Sequence, residues 1–248
     1  MQITPRQWSD NQGNAHSVFE VKFEASDITK ARAIAHSKIA YVNVHNPGGI
    51  RRTLDVINNR IIAGKLADFA VLQAIRDSIR LRKIEDRFHV SEYDAGRSDG
   101  FQQPDPYDLA LADSTKASVQ TIEVRSSFCY RIGRAQNIVN RLSIYGWYTS
   151  FNKIIEPPKD WYWQVIFHSR PKDIPEPSVE GRPPIVVPIF EETLTNNSTV
   201  GFIVGGSTRE FLEKQGIARN DQDNAIYQSI FPISTGFDAE EMLVKMTS

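Results

Sequence analysis

Residues 105–128 hold three side chains whose types and spacing suit phosphate chemistry: Asp108, Glu123 and Arg125. Asp108 opens the alternating run Leu109-Ala110-Leu111-Ala112. The polar stretch Asp113-Ser114-Thr115-Lys116 follows, and a second run rises through Val119, Thr121, Ile122, Glu123, Val124 and Arg125. Two short β runs joined by a polar turn predict a hairpin. Successive strand side chains point to opposite faces, so Glu123 and Arg125 share one face while Ile122 and Val124 enter the other. Asp108, at the start of the partner strand, would complete a group of two carboxylates and a guanidinium. Hard cations such as Mg²⁺ take one or two carboxylates plus substrate phosphates. An adjacent positive charge suits the negative charge that grows in phosphoryl transfer. Asp105 is the alternative to Asp108, although Pro106 argues against a central-strand position for it. The same pattern also fits the solvated face of an edge hairpin.

Asp108 followed by Glu123-Val124-Arg125 resembles the signature of the PD-(D/E)XK nuclease superfamily, an Asp at one strand and Glu-x-Lys on the next. The stretch GKLADFAVLQAI, residues 64–75, resembles that superfamily's first helix, often Gly-Lys-x-x-Glu-Phe-x-Val, with Asp68 in the place of the Glu. The resemblance covers residues 51–170. It implies an α/β, restriction-endonuclease-like fold: a mixed central sheet flanked by helices, with N- and C-terminal elaborations. The implied activity is that of a type II restriction-like endonuclease, using Mg²⁺ (or Mn²⁺) on double-stranded DNA, with a homodimer as the candidate assembly. Asp108, Glu123 and the Val124 carbonyl would be metal ligands, and Asp68 a second-metal or water-orienting carboxylate.

Two departures from the superfamily pattern stand out: Asp for Glu at 68 and Arg for Lys at 125. Arginine stays protonated, so Arg125 cannot be a general base, but it can hold the phosphate or stabilise the transition state. The Arg125 departure also fits a catalytically idle member that only binds DNA. A structural or partner-binding α/β protein is the remaining alternative.

At 248 residues, with 40% hydrophobic and 24% charged residues, the chain reads as one soluble globular domain. Its expected sub-regions are 1–50, a nuclease-like core at 51–170, and a Pro-rich linker with C-terminal elaboration at 171–248. The net charge of −1 excludes a general polycation. Basic residues nonetheless gather in 51–87 and again at Arg131, Arg134 and Arg141, while the last third is acidic. This fits a DNA-facing middle, with Lys65, Arg131, Arg134 and Arg141 as phosphate contacts, and it equally fits solvated helix faces. A single cysteine, Cys129, excludes an intrachain disulfide framework and reads as a small buried hydrophobe. No secretory leader and no run of about 18 apolar residues is visible, so a cytoplasmic protein without a membrane partner is expected.

The elements that must position these residues follow from patterning. Residues 17–23 alternate as a strand, and Ser26 or Asp27 caps a short helix through Ile34. KIAYVNV reads as a strand. Residues 53–84 read as one or two helices, with Ala63-Gly64 as the break. There Asp68, Leu72, Ile75 and Ile79 form one stripe. Asp68 is then either directed at the sheet or a first-turn acid favoured by the helix dipole. Ile132, Ala135, Ile138, Val139 and Leu142 mark an amphipathic helix, and DWYWQVIFH a strand with one aromatic face. PIVVPIF and VGFIVGG read as further strands, and Ser207 with Glu210 as a capping box rather than a phosphate site. His89, near Glu92 and Asp94, is a candidate ligand or a plain loop histidine. Tyr145, Trp147, Tyr148, Phe151 and residues 161–163 are core aromatics or a base-stacking surface.

Overall fold

The segment WYWQVIFHS is buried at every position, which its aromatic and β-branched side chains achieve only in the middle of a sheet covered on both faces. The computed structural model describes residues 1–45, 49, 51–150, 156–169, 190–220 and 225–248. The chain begins with β1 (Gln2–Ser9), β2 (Ala15–Lys22), α1 (Ala25–Lys38), α2 (Leu54–Leu81), β3 (Phe88–Glu92), β4 (Leu109–Asp113) and β5 (Ser118–Cys129). It continues with α3 (Ile138–Arg141), β6 (Ile144–Thr149), β7 (Trp161–Ser169), α4 (Phe190–Thr195) and β8 (Thr199–Thr208). It ends with α5 (Arg209–Gln215), β9 (Ile217–Asn220), β10 (Ile226–Ile230) and α6 (Ala239–Met246).

Seven strands form a mixed sheet in the order β1-β2-β8-β7-β5-β4-β3, and β6-β10-β9 form a second, three-stranded sheet. Every neighbouring pair in the large sheet is antiparallel except β5 and β7, which run parallel. The pleat of β7 divides the core. Trp163, Val165 and Phe167 face α2, while Tyr162 and Ile166 join Ile138, Ile144 and Ile230 on the other side. Among the described residues no helix is long and apolar enough to cross a membrane.

The β4–β5 hairpin forms as expected, with Leu109 opposite Ile122 and Ala112 opposite Val119. Several other expectations are corrected. Of the two alternatives for 53–84 the single helix holds, as α2, capped by the Thr53 side chain on the Val56 amide, and the break at Ala63-Gly64 does not occur. Gly64 does not break it, because a single glycine costs only about 1 kcal/mol in a helix. The stripe from Ile57 to Ile79 buries far more than that. The first helix, α1, is capped by Glu24 in a box with Asp27 and runs on to Lys38. KIAYVNV is not a strand; its start completes α1 and a single 3₁₀ turn. The amphipathic helix after the hairpin shrinks to a 3₁₀ turn and the four residues of α3. Thr208, not Ser207, caps α5, accepting from the Phe211 amide. The strand β1 was not anticipated, and PIVVPIF lies almost wholly outside the described residues. Both terminal sub-regions contribute strands to the large sheet, β1 and β2 from the first and β8 from the last.

Two glycines give opposite expectations. A Cβ at Gly206 would sit 2.1 Å from the Tyr162 carbonyl oxygen, whereas one at Gly64 meets nothing within 4 Å. Gly206→Ala should therefore destabilise the protein by roughly 1–3 kcal/mol, and Gly64→Ala should stabilise it by about 0.5–1 kcal/mol. Urea unfolding of both variants checks the pair, and a destabilised Gly64→Ala would contradict the continuous helix.

Candidate functional site

The site forms where β4 stops and β5 runs on. Asp108, one residue before β4, donates its amide to the Ile122 carbonyl at 3.1 Å, and its Oδ2 accepts from the Val124 amide at 2.7 Å. That amide points along the sheet toward β4, so the Asp108 carboxylate lies near the sheet plane, filling the ladder position that β4 no longer occupies. The Val124 carbonyl points to the same side by strand alternation, while the Val124 side chain enters the core.

Glu123 and Arg125 share the opposite face, as expected, with Arg125 Nη1 3.1 Å from Glu123 Oε1. Their register partners on β7 are Tyr162 and Gln164. Arg125 is enclosed. Its Nη2 bonds the Glu156 carboxylate and, at 3.1 Å, the Gly146 carbonyl. Its guanidinium also lies 5.4 Å and 5.7 Å from the Tyr148 and Tyr227 ring centres. Both flanking acids hold the guanidinium charged despite its burial.

Asp68 comes from the buried side of α2, in mid-helix, so the first-turn alternative falls away with the unbroken helix. Its neighbour Lys65 is buried and sits 2.7 Å from Asp68, 3.0 Å from Glu92 and 2.5 Å from Asp94. Burial opposes the Lys65 ammonium, but these three acids outweigh it and raise its pKa. Lys65 is thus an internal counter-ion and not a surface cation available to DNA, which corrects its expected role. Glu92 and Asp94 are likewise committed to Lys65, while His89 is exposed on β3, so no ligand set forms there. Asp105 pairs with Lys38 and Arg97, leaving Asp108 as the strand-head acid.

The carboxylates repel one another. Burial, then the Asp68 charge, pushes Asp108 up to about 7. Burial likewise takes Asp68 to about 7, because Lys65 is shared among three acids. Burial and then Asp108 raise Glu123 to about 8. Asp108 forms no ion pair among the described residues. A divalent cation would relieve this crowding, and two carboxylates with a backbone carbonyl are the hard oxygen donors it takes. Among the described residues no three His, Cys, Asp or Glu side chains gather to hold a metal. Such a cation would therefore rely on Asp108, Glu123 and Val124, with the substrate completing its shell.

Arg131, Arg134 and Arg141 are exposed between β5 and β6. A groove of about 940 Å³ is lined in part by Arg76, Tyr93, Arg97 and Tyr107, and Asp108 is not among its lining residues. Tyr93 is tied to the site through its amide on the Asp108 carbonyl, at 3.0 Å. Trp161, Tyr162 and Trp163 are buried core, whereas Tyr145 and Tyr148 are half-buried against Tyr227; Phe151 lies outside the described residues. Cys129 is buried, with burial raising its thiol pKa.

Glu156, Lys159 and Gln164 escaped the sequence reading as site residues, and Tyr162 entered it only among the aromatics 161–163. The clue available was Glu156-Pro157-Pro158-Lys159, an acid and a base set by two prolines just ahead of a strand. What places them beside Glu123 is the parallel β5–β7 register, which no local pattern encodes.

The chain is similar to an uncharacterized protein, MJECS01, of Methanocaldococcus jannaschii, with 26% identity over 250 residues, covering 94% of this chain and 86% of that protein. No family model matches the chain, and no solved structure matches it.

The raised carboxylates make a pH prediction. Because the folded values of Asp68, Asp108 and Glu123 lie above the ordinary carboxylate range, the folded state holds more protons than the unfolded state between about pH 4 and 8. Their contribution is full below that window and is lost as pH rises through about 7 to 8. The melting temperature should fall from about pH 5.5 to about pH 8.5, less steeply in Asp108→Asn. Mn²⁺ should raise it more at the alkaline end, where protons compete less. Calorimetric scans across this range, with and without Mn²⁺, check both statements.

Proposed function

We propose that this protein is a Mg²⁺- or Mn²⁺-dependent DNA endonuclease of the restriction-endonuclease-like class, acting on double-stranded DNA. The observation that carries the reading is the Asp108 carboxylate bound to the Val124 amide, with Asp68 and Glu123 close enough for each to be coupled to its charge. The order α2, β3-β4-β5 meander, α3, then β7 parallel to β5, with β6 of the second sheet intervening, supports the helix–hairpin–helix–strand order of the resemblance.

In this reading Asp108, Glu123 and the Val124 carbonyl hold the metal, and Asp68 orients the attacking water. When bound, the metal lowers the pKa of a water and neutralises charge at the scissile phosphate. Arg125 holds the Glu123 carboxylate, and its guanidinium is engaged by Glu123 and Glu156 rather than by the substrate. Exposed Arg131, Arg134 and Arg141 contact backbone phosphates and position the duplex.

A second reading, a catalytically idle DNA-binding protein of the same class, is favoured by one observation. Arg125 already neutralises Glu123 and Glu156, which weakens Glu123 as a metal ligand.

Mixed plasmid and phage DNA incubated with Mg²⁺ or Mn²⁺ separates the readings. Glu123→Ala should abolish cleavage while leaving DNA affinity nearly unchanged, and each of Arg131→Ala and Arg141→Ala should reduce the salt slope of binding by about 1. Arg125→Ala should cost roughly 3–5 kcal/mol of stability, because it leaves two buried carboxylates without their cation. Wild-type cleavage rates in Glu123→Ala would remove this site from the reaction, and salt-sensitive binding without any cleavage would establish the idle reading.

A further inference from the structure

Lys159 is an anomaly. It is 7% exposed, yet it forms no ion pair among the described residues. Its Nζ donates to the Pro157 carbonyl at 2.7 Å, which occupies one of the three donors of an ammonium. Buried lysines are ordinarily matched by carboxylates, because an ammonium taken from water needs an opposite charge. The other buried cations of the site follow that rule, Lys65 with three acids and Arg125 with two.

The backbone around Lys159 is fixed. Its amide donates to the Tyr162 hydroxyl at 2.7 Å, and Tyr162 is the β7 register partner of Glu123. Pro157 and Pro158 lock the approach, and the next residue, Asp160, binds the Thr121 amide and hydroxyl at 2.7 Å and 2.8 Å. Lys159 is thereby held beside Glu123, close enough for its charge to act on that carboxylate.

We infer that Lys159 is an anion-binding residue whose partner is a phosphate oxyanion delivered beside Glu123, the backbone phosphate of the bound nucleic acid. The phosphate identity rests on the nuclease reading; the place for a further anion rests on Lys159 having no ion pair among the described residues, the nearby Glu123 carboxylate being already paired with Arg125. Arg125 cannot serve instead, since its charge is balanced by Glu123 and Glu156. In the reaction Lys159 takes the growing charge on the phosphoryl oxygens, a role that strengthens toward the transition state.

The test uses the full chain with Lys159→Met, close in length and uncharged, and Lys159→Arg. With cleaved duplex and Mg²⁺, the single-turnover rate of Lys159→Met should fall by about 100-fold or more, in line with loss of a charge-stabilising donor. Duplex affinity in Ca²⁺ should change little, and Lys159→Arg should recover most of the rate. A Lys159→Met rate equal to wild type overturns the assignment and leaves the nuclease reading standing. If the wild type neither cleaves nor binds DNA, the nuclease reading fails, and inorganic phosphate decides the remainder. A rise in melting temperature with phosphate that is present in the wild type and in Lys159→Arg but absent in Lys159→Met supports the anion site, and equal rises in all three overturn it.

Discussion

The interaction on which the rest depends is a shortage of cations among buried carboxylates at the end of β4. Lys65 is divided among Asp68, Glu92 and Asp94, Arg125 between Glu123 and Glu156, and Asp108 has only a backbone amide. Removing one member of such a buried set is costly, because the remaining charges lose their compensation. These charges therefore pin the surrounding elements. Lys65 ties α2 to the end of β3, and Arg125 ties β5 to β6 and to the segment ahead of β7. The same shortage leaves the acids with raised pKa values, a condition that suits binding of something positive.

The sheet explains why this charge collects at one place. β5 extends to Cys129, but β4 pairs with it only as far as Ile122, so the β4 side of the following backbone has no strand to bond. The Asp108 carboxylate takes the first vacant amide, at Val124, and is held there by the ladder geometry itself. On the other side, β7 continues in parallel register along all the remaining length of β5 and brings Tyr162 and Gln164 against Glu123 and Arg125. Gln164 is fully buried, and neither its Oε1 nor the Arg125 Nε meets a hydrogen-bond partner among the described residues. Two unsatisfied polar atoms on adjacent residues of one face are a cost that a purely structural sheet would avoid by using apolar residues.

Much of this was legible in the sequence wherever local periodicity controlled the outcome. The hairpin, the shared face of Glu123 and Arg125, the buried stripe through Asp68 and the burial of Cys129 all follow from the spacing of apolar residues. What failed was of two kinds. Helix limits went astray where one local signal, Gly64 or Ser207, was weighed without the packing that overrides it. Long-range partners were invisible because Glu156 and Lys159 reach Glu123 only through the parallel crossover, and Tyr227 reaches Arg125 only through the pairing of β10 with β6. Lys65 was misjudged for the same reason. A lysine in a basic stretch looks like surface charge until Glu92 and Asp94 are brought to it from beyond the helix.

The arginine at 125 now has a physical account. Its guanidinium bonds two carboxylates and a carbonyl while two tyrosine rings flank it, so it uses both the planar donor fork and the flat faces of the group. A lysine offers a compact point charge and no planar face, and it could not bond these groups with the same directions. Read from the sequence alone, the arginine is a departure from the superfamily's lysine that could still hold a phosphate but could not act as a general base. In the folded chain arginine is a clamp between the two sheets, its guanidinium engaged by Glu123, Glu156 and the Gly146 carbonyl. In the proposed reading the positive charge beside the phosphate is that of Lys159, which is buried, fixed by its backbone and without an ion pair among the described residues, whereas Arg125 and Lys65 are paired with acids.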